Sequence, residues 1–372
     1  MTDLTKAKAL VLEKFHEPLV LREFDIPEPG PGEVLAKVTA AGICGSDIHE
    51  LDGRDPRTPL PIIPGHEGVG EIIKIGDGAA LADGSPLSVG MPVVWERSLT
   101  CGECYFCKRG ERYLCTTRKV YGINISSADP PHLSGNYTTH ILLRKATSIY
   151  KYNTSIDPSV LVAATCSGTT ACHANDRASL KGGETVLIYG SGPVAAFQTA
   201  FAIESGAKWV VVVTREPGIK AEIISEFGAD EVLFRSTMSP QEIVSYLLFQ
   251  TCEIGVDVVF DTTADPNVFC EAVKILRRGG TYVNPGLAVP SEQIPLEMYS
   301  DVVNKNLTIH GVWAGDASHL QKSIALVEFG LKTGRYPFDR LVTHRFKLED
   351  HSEAFRILSE KQGVKVVFEP WS

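Results

Sequence analysis

The sequence predicts an α/β protein in which an irregular β-rich region precedes a doubly wound parallel sheet. Three observations carry this. From residue 184 onward, continuous Val-rich runs alternate with helix-like segments, the pattern of strands buried on both faces by crossover helices. Residues 1–150 are instead rich in Pro and Gly and carry short β-type runs. A glycine turn joins the first strand of the later region to its first helix.

In order, EVLAKVTAAG (33–42) and GVGEIIKIG (68–76) read as strands of the first region, bounded by turn residues. ETVLIYG (184–190) is an apolar strand ending in glycine, and 193–206 is a helix stopped by Gly206. WVVVVT (209–214) is a second buried strand, followed by a helix over 219–230. Residues 255–263, 279–286 and 307–313 continue the strand series. The tail holds a helix over 319–334 and a final strand, 364–369. The expected division is 1–167, 168–311 and 312–372, with a cysteine lobe at about 97–118.

The 372-residue chain is long enough for two domains. Its 44% hydrophobic and 22% charged residues are ordinary for a globular protein. The net charge of −9 and the lack of a Lys/Arg stripe argue against a nucleic-acid partner. No apolar run reaches the roughly 18 residues of a membrane span. The stretch MTDLTKAKAL lacks the apolar core of a signal peptide, so a cytoplasmic location is expected. Nine cysteines then read as metal ligands and core thiols rather than disulfides. Cys252 and Cys270, among apolar residues, are expected in the core.

Cys101, Cys104, Cys107 and Cys115 fall in CGECYFCKRGERYLC, spaced C-x2-C-x2-C-x7-C, with Gly102 and Gly110 to let the loop turn. Four thiolates close a tetrahedron around one zinc ion and leave no open position, so this zinc is expected to be structural.

Gly190-Ser191-Gly192-Pro193-Val194-Ala195 matches G-x-G-x-x-A between a strand and a helix. The first glycine makes the turn, the second admits a pyrophosphate, and the small third residue lets helix and strand pack. The helix N-terminus faces the phosphates. At the end of the second strand stand Thr214, Arg215 and Glu216. A basic residue after a non-acidic strand end favours NADP, whereas Glu216 favours NAD; the balance leans slightly to NADP.

A second metal-type set is spread along the chain: Cys44 in GICGSDIH, His66 in GHEG and Cys166 in ATCSGTTACH. Cys, His and Cys from three segments make a zinc site with one position left for water or substrate.

These motifs and the four-Cys loop occur in the order seen in zinc-containing medium-chain alcohol dehydrogenases, which the chain resembles over essentially its whole length. The resemblance implies a GroES-like β-rich catalytic domain, built from both chain ends, around a central Rossmann domain. It implies two zinc ions per chain, an NAD(P) cofactor and a small alcohol or carbonyl substrate, with no membrane partner. It also implies a homodimer or homotetramer. Cys44, His66 and Cys166 resemble the catalytic zinc ligands, with Glu67 able to approach the metal and Asp47 orienting His66. Ser46 and His49 resemble the proton relay. Thr170 corresponds to a small side chain behind the nicotinamide, and Lys365 to a cation on the pyrophosphate.

Gly45 stands where many relatives carry a basic residue. Cys172 and His173 form a pair that could also read as nucleophile and base. Trp95, Glu96 and Arg97 end a strand where the family lines its substrate pocket, with Trp313 on the opposite wall. A polar pocket there favours a polyol, cyclitol or other oxygenated alcohol over a simple aliphatic one, whereas Glu96 and Arg97 equally fit a surface ion pair; an amino alcohol is the other alternative within the family.

Overall fold

In a computed structural model describing residues 5–372, the chain divides into two compact units. The first four residues of the amino-terminal stretch lie outside the described residues. Among the described residues, the first unit comprises 5–166, 316–328 and 341–372, and the second comprises 167–315 and 329–340.

The first unit is organised on the ten-residue strand Val34–Ile43, buried at eight of its positions. Such a strand has neighbours on both edges and packing on both faces. It pairs antiparallel with Glu67–Ile75 and His140–Leu143, and its carboxyl-terminal half pairs with Lys365–Phe368. The seven-stranded sheet continues through Val342–Phe346 on one side and through Pro92–Trp95 and Ile149–Lys151 on the other. The last strand of the chain is thus hydrogen-bonded beside one of the first, through Val366–Ile43 and Phe368–Ala41. Tyr137, Phe355 and Phe368 form edge and tilted aromatic contacts in this core.

The second unit is a six-stranded parallel sheet. Numbered along the chain within this unit, Thr185–Tyr189, Trp209–Thr214, Glu231–Phe234, Val256–Asp261, Leu276–Asn284 and Thr308–Gly311 lie in spatial order 3-2-1-4-5-6. This is the dinucleotide-binding order, whose crevice opens where the direction of winding reverses. Val186, Leu187 and Ile188 are completely buried, as are Val211 and Val212, which accounts for the unbroken apolar runs.

The stretch 329–340, expected in the returning tail, groups with this second unit. Phe338 packs on Phe197 and Phe227, and Tyr336 stacks on Phe227. Burying these four aromatic rings together outweighs the continuity of the tail. Two further expectations are corrected. Cys252 is exposed, on a positive-φ turn after helix Pro240–Gln250. Cys270 is only half-buried, with Sγ 3.4 Å from the Pro295 carbonyl.

Candidate functional site

Cys44 follows the central strand and is the N-cap of helix Gly45–Leu51. His66 stands immediately before strand Glu67–Ile75. Cys166 lies in a π-helical turn, Ala164–Gly168, a distortion that recurs at functional positions. The ligand atoms of Cys44, His66, Glu67 and Cys166 all lie within 4.8 Å of one another. A sulfur–nitrogen–sulfur set at this spacing fits one zinc ion with three protein ligands.

Asp47 organises the set. Its Oδ2 accepts from the Cys44 backbone N–H at 2.7 Å and from the Tyr137 hydroxyl at 2.5 Å. Its Oδ1 lies 3.2 Å from Nδ1 of His66, leaving Nε2 to face the sulfurs. Glu50, buried alongside, is pushed well above the usual carboxylate range by burial and by the Asp47 charge.

Glu67 has a fixed partner. The Lys365 ammonium lies 2.9 and 2.8 Å from its two carboxylate oxygens and 3.4 Å from the Ile43 carbonyl. Gly42 makes room: a Cβ there would stand 2.0 Å from Oε2 of Glu67. The expected placement of Lys365 on a pyrophosphate is therefore corrected. Its cation is 2% exposed and occupied by Glu67, because a carboxylate buried this deeply needs a counter-charge.

The Ser46 hydroxyl is 3.5 Å from Nε2 of His66. His49 is held below the ordinary imidazole range by burial and by Arg54, so it is neutral and able to accept a proton near neutral pH.

The four-cysteine lobe is built on helix Tyr105–Lys108 and the short turn Arg112–Leu114. Gly102 and Gly110 take positive φ of 75° and 81°. Sγ of Cys101 is 3.9 Å from that of Cys107 and 3.7 Å from that of Cys115. A tetrahedron with Zn–S bonds of about 2.3 Å has S–S edges of about 3.8 Å, so this quartet also fits a zinc ion. Backbone N–H groups of Cys107 and Thr116 bring the Cys104 thiol down to about 6, which favours the thiolate a metal requires.

The residues read as substrate wall sit differently. Trp95 is 1% exposed and belongs to the apolar core, over Gly68 and Gly70, where added Cβ atoms would meet it at 2.7 and 3.3 Å. Glu96 and Arg97 are buried, not a surface pair. Nη1 of Arg97 donates to Sγ of Cys166 at 2.6 Å. Sequence reasoning missed this contact, because its partners are 69 residues apart and only the fold brings them together.

In the second unit, Gly190 ends strand Thr185–Tyr189 with φ of 112°, and a Cβ there would stand 2.3 Å from Oγ1 of Thr262. Gly192 is the N-cap of helix Pro193–Glu204, with Pro193 in its first turn and Ala195 completely buried. Ser191 and Thr214 hydroxyls are 2.7 Å apart, tying the turn to the end of the second strand. Val194 is half-buried, and Arg215 and Glu216 are exposed. Thr170 is buried in helix Thr169–Ala178. Cys172 is 1% exposed, and Nδ1 of His173 meets the Ala314 carbonyl at 2.7 Å. Trp313 is 46% exposed.

Comparison with known proteins bears on both units. Residues 30–154 match the alcohol dehydrogenase GroES-like domain, and residues 193–328 match the zinc-binding dehydrogenase domain. The chain is 30% identical to an L-threonine 3-dehydrogenase of Pyrococcus horikoshii over 352 residues, 94% of each chain. It is 39% identical to a solved alcohol dehydrogenase of Thermotoga maritima, with TM-score 0.93 over 98% of this chain and 99% of that one. A short chain alcohol dehydrogenase from E. coli CFT073, solved with NADH, is 25% identical with TM-score 0.81 over 98% of this chain and 99% of that one.

Proposed function

The chain belongs to the zinc-containing medium-chain alcohol dehydrogenase family, and from that premise we propose how its residues divide the work. The protein is a zinc-dependent oxidoreductase that interconverts an alcohol and its carbonyl compound with NAD(P). The convergence of Cys44, His66 and Cys166 carries the reading of its centre. Zinc held there would supply Lewis acidity toward the substrate oxygen, and the nicotinamide would take the hydride. Asp47 fixes the His66 ring and the Cys44 backbone. Ser46 accepts the alcohol proton beside His66, and His49, half-buried and neutral, passes it to solvent. Glu67, neutralised by Lys365, adjusts the field at the centre without adding net charge. The four-cysteine lobe holds the second zinc and stabilises its loop.

Gly190, Gly192 and the first turn of helix Pro193–Glu204 receive the pyrophosphate. Arg215 favours the 2′-phosphate of NADP over NAD. With Trp95 in the core and Arg97 against Cys166, a polar wall no longer singles out polyols. The likeness to a threonine dehydrogenase supports an amino alcohol or other substituted secondary alcohol.

Strand Thr308–Gly311 is an edge of the six-stranded sheet with Ile309 44% exposed, an edge suited to pairing with a second copy. Thiolate zinc sites need a reducing compartment, which supports the cytoplasm. Among the described residues, no helix is long and apolar enough to cross a membrane. The test is NAD- and NADP-linked oxidation of a panel of aliphatic, amino and polyhydroxy alcohols. Absence of turnover on every one, with two zinc ions bound, would sink the reading.

A further inference from the structure

Arg97 is a buried cation that the catalytic roles above do not use. Its backbone is pinned from both sides: the Glu96 N–H bonds the Ser148 carbonyl, and the Tyr121 N–H bonds the Arg97 carbonyl, each at 2.9 Å. The turn is closed by Glu96 itself, whose Oε1 accepts from the Ser98 N–H at 3.1 Å. Arg97 is therefore presented on a fixed platform, 5% exposed, with Nη1 on the sulfur of Cys166. Its neighbour Arg118 is engaged with the Ser98 hydroxyl instead, so Arg97 is the guanidinium directed at the metal ligands.

The charges around the centre make this contact matter. Two thiolates and a neutral imidazole cancel a divalent ion. The Glu67–Lys365 pair is neutral in sum. Asp47, on the far side of His66, pushes electron density into the ring. Arg97 acts in the opposite sense, through a sulfur. A cationic donor on a thiolate stabilises its lone pairs and weakens its donation to a metal. The metal then keeps more positive charge toward the substrate oxygen.

We propose that Arg97 is a positioning residue of the metal centre, holding Cys166 in place and drawing charge from its sulfur so that a bound metal stays electrophilic. This rests on the zinc-dehydrogenase reading of Cys44, His66 and Cys166.

The experiment replaces catalytic zinc by cobalt in the wild type, Arg97→Gln and Arg97→Lys, and records the thiolate-to-cobalt charge-transfer band. Losing the cation raises the sulfur lone pairs, so the band moves to lower energy in Arg97→Gln and by less in Arg97→Lys. In the zinc enzymes kcat falls on the order of 10- to 100-fold in Arg97→Gln, while the dinucleotide KM stays unchanged. A band at the wild-type position in Arg97→Gln overturns the proposal. Should that variant not fold, an unmoved band in Arg97→Lys overturns it equally. Failure of the underlying reading looks different: the wild type then takes up one metal per chain and gives no band from Cys44 and Cys166.

Discussion

The Lys365 ammonium and the Glu67 carboxylate face each other at 2.8 Å with neither side chain more than 2% exposed. Removing one partner strands the other charge in the interior. Lys365→Met is expected to cost about 3–5 kcal/mol, read as a lower midpoint in denaturant. The double variant Glu67→Gln/Lys365→Met recovers much of the loss. Dinucleotide affinity of any folded Lys365→Met protein is expected to stay close to wild type; a large loss of affinity with unchanged stability would contradict the placement of Lys365.

The two metal sets are separable. Cys44→Ser or His66→Ala is expected to bind one zinc per chain instead of two and to lose turnover, while dinucleotide binding persists. Cys104→Ser is expected to lower thermal stability, because that zinc contributes folding energy to its lobe. Metal analysis with calorimetry reads both. A Cys44→Ser variant that keeps full activity would refute the assignment.

His140 gives the stability a pH dependence. Burial, and then Lys37, bring its imidazole down to about 4 from 6.5. It packs edge-on against Trp371 and meets the Thr139 hydroxyl at 3.0 Å. Between these values the unfolded chain binds a proton that the folded chain refuses, so stability is complete above about 6.5 and falls as pH drops toward 4. The expected loss is on the order of 2 kcal/mol, allowing for residual solvent access. Urea titrations across this range should show the slope in wild type and its reduction in His140→Gln.

The proposed preference for NADP rests on Arg215, an exposed side chain. Arg215→Ala is expected to lower kcat/KM for NADP about tenfold, the scale of one charge-assisted phosphate contact, and to leave NAD nearly untouched. Equal effects on both cofactors would remove Arg215 from the discrimination.

His49→Gln is expected to slow alcohol oxidation on the order of 100-fold and to be partly rescued by small diffusible bases. Its folded pKa lies below 6.5, so the corresponding acid limb of the wild-type profile should fall below that value. Wild-type turnover in the variant would take His49 out of the relay.

The sequence made the buried strands legible because Trp209–Thr214 and Thr185–Tyr189 bury both faces, and nothing but apolar side chains satisfies them. Glu231–Phe234 escaped notice for the converse reason: it is a four-residue edge strand, half-exposed throughout. The metal-type cysteines were legible from local spacing or from motif order. What spacing could not reveal was which charges meet across the fold. Lys365 reaches Glu67 over 298 positions, and Tyr137 reaches Asp47 over 90. Trp95, two residues from the buried Arg97, looked like a pocket wall. The small residues that receive it, Gly68 and Gly70, lie on the neighbouring strand and make that position core.

The strand Lys365–Phe368 lies between Val342–Phe346 and Val34–Ile43. A ribosome delivers Glu67 298 positions before Lys365, which opens the strand that lines one flank of Val34–Ile43. The second unit draws on no residue beyond 340, so it can fold while the first still waits for its closing strand. During that interval Glu67 lacks its counter-ion and the edge of Val34–Ile43 is unpaired. Termination between residues 340 and 365 would thus release chains with a completed nucleotide-binding sheet and an open, aggregation-prone first sheet.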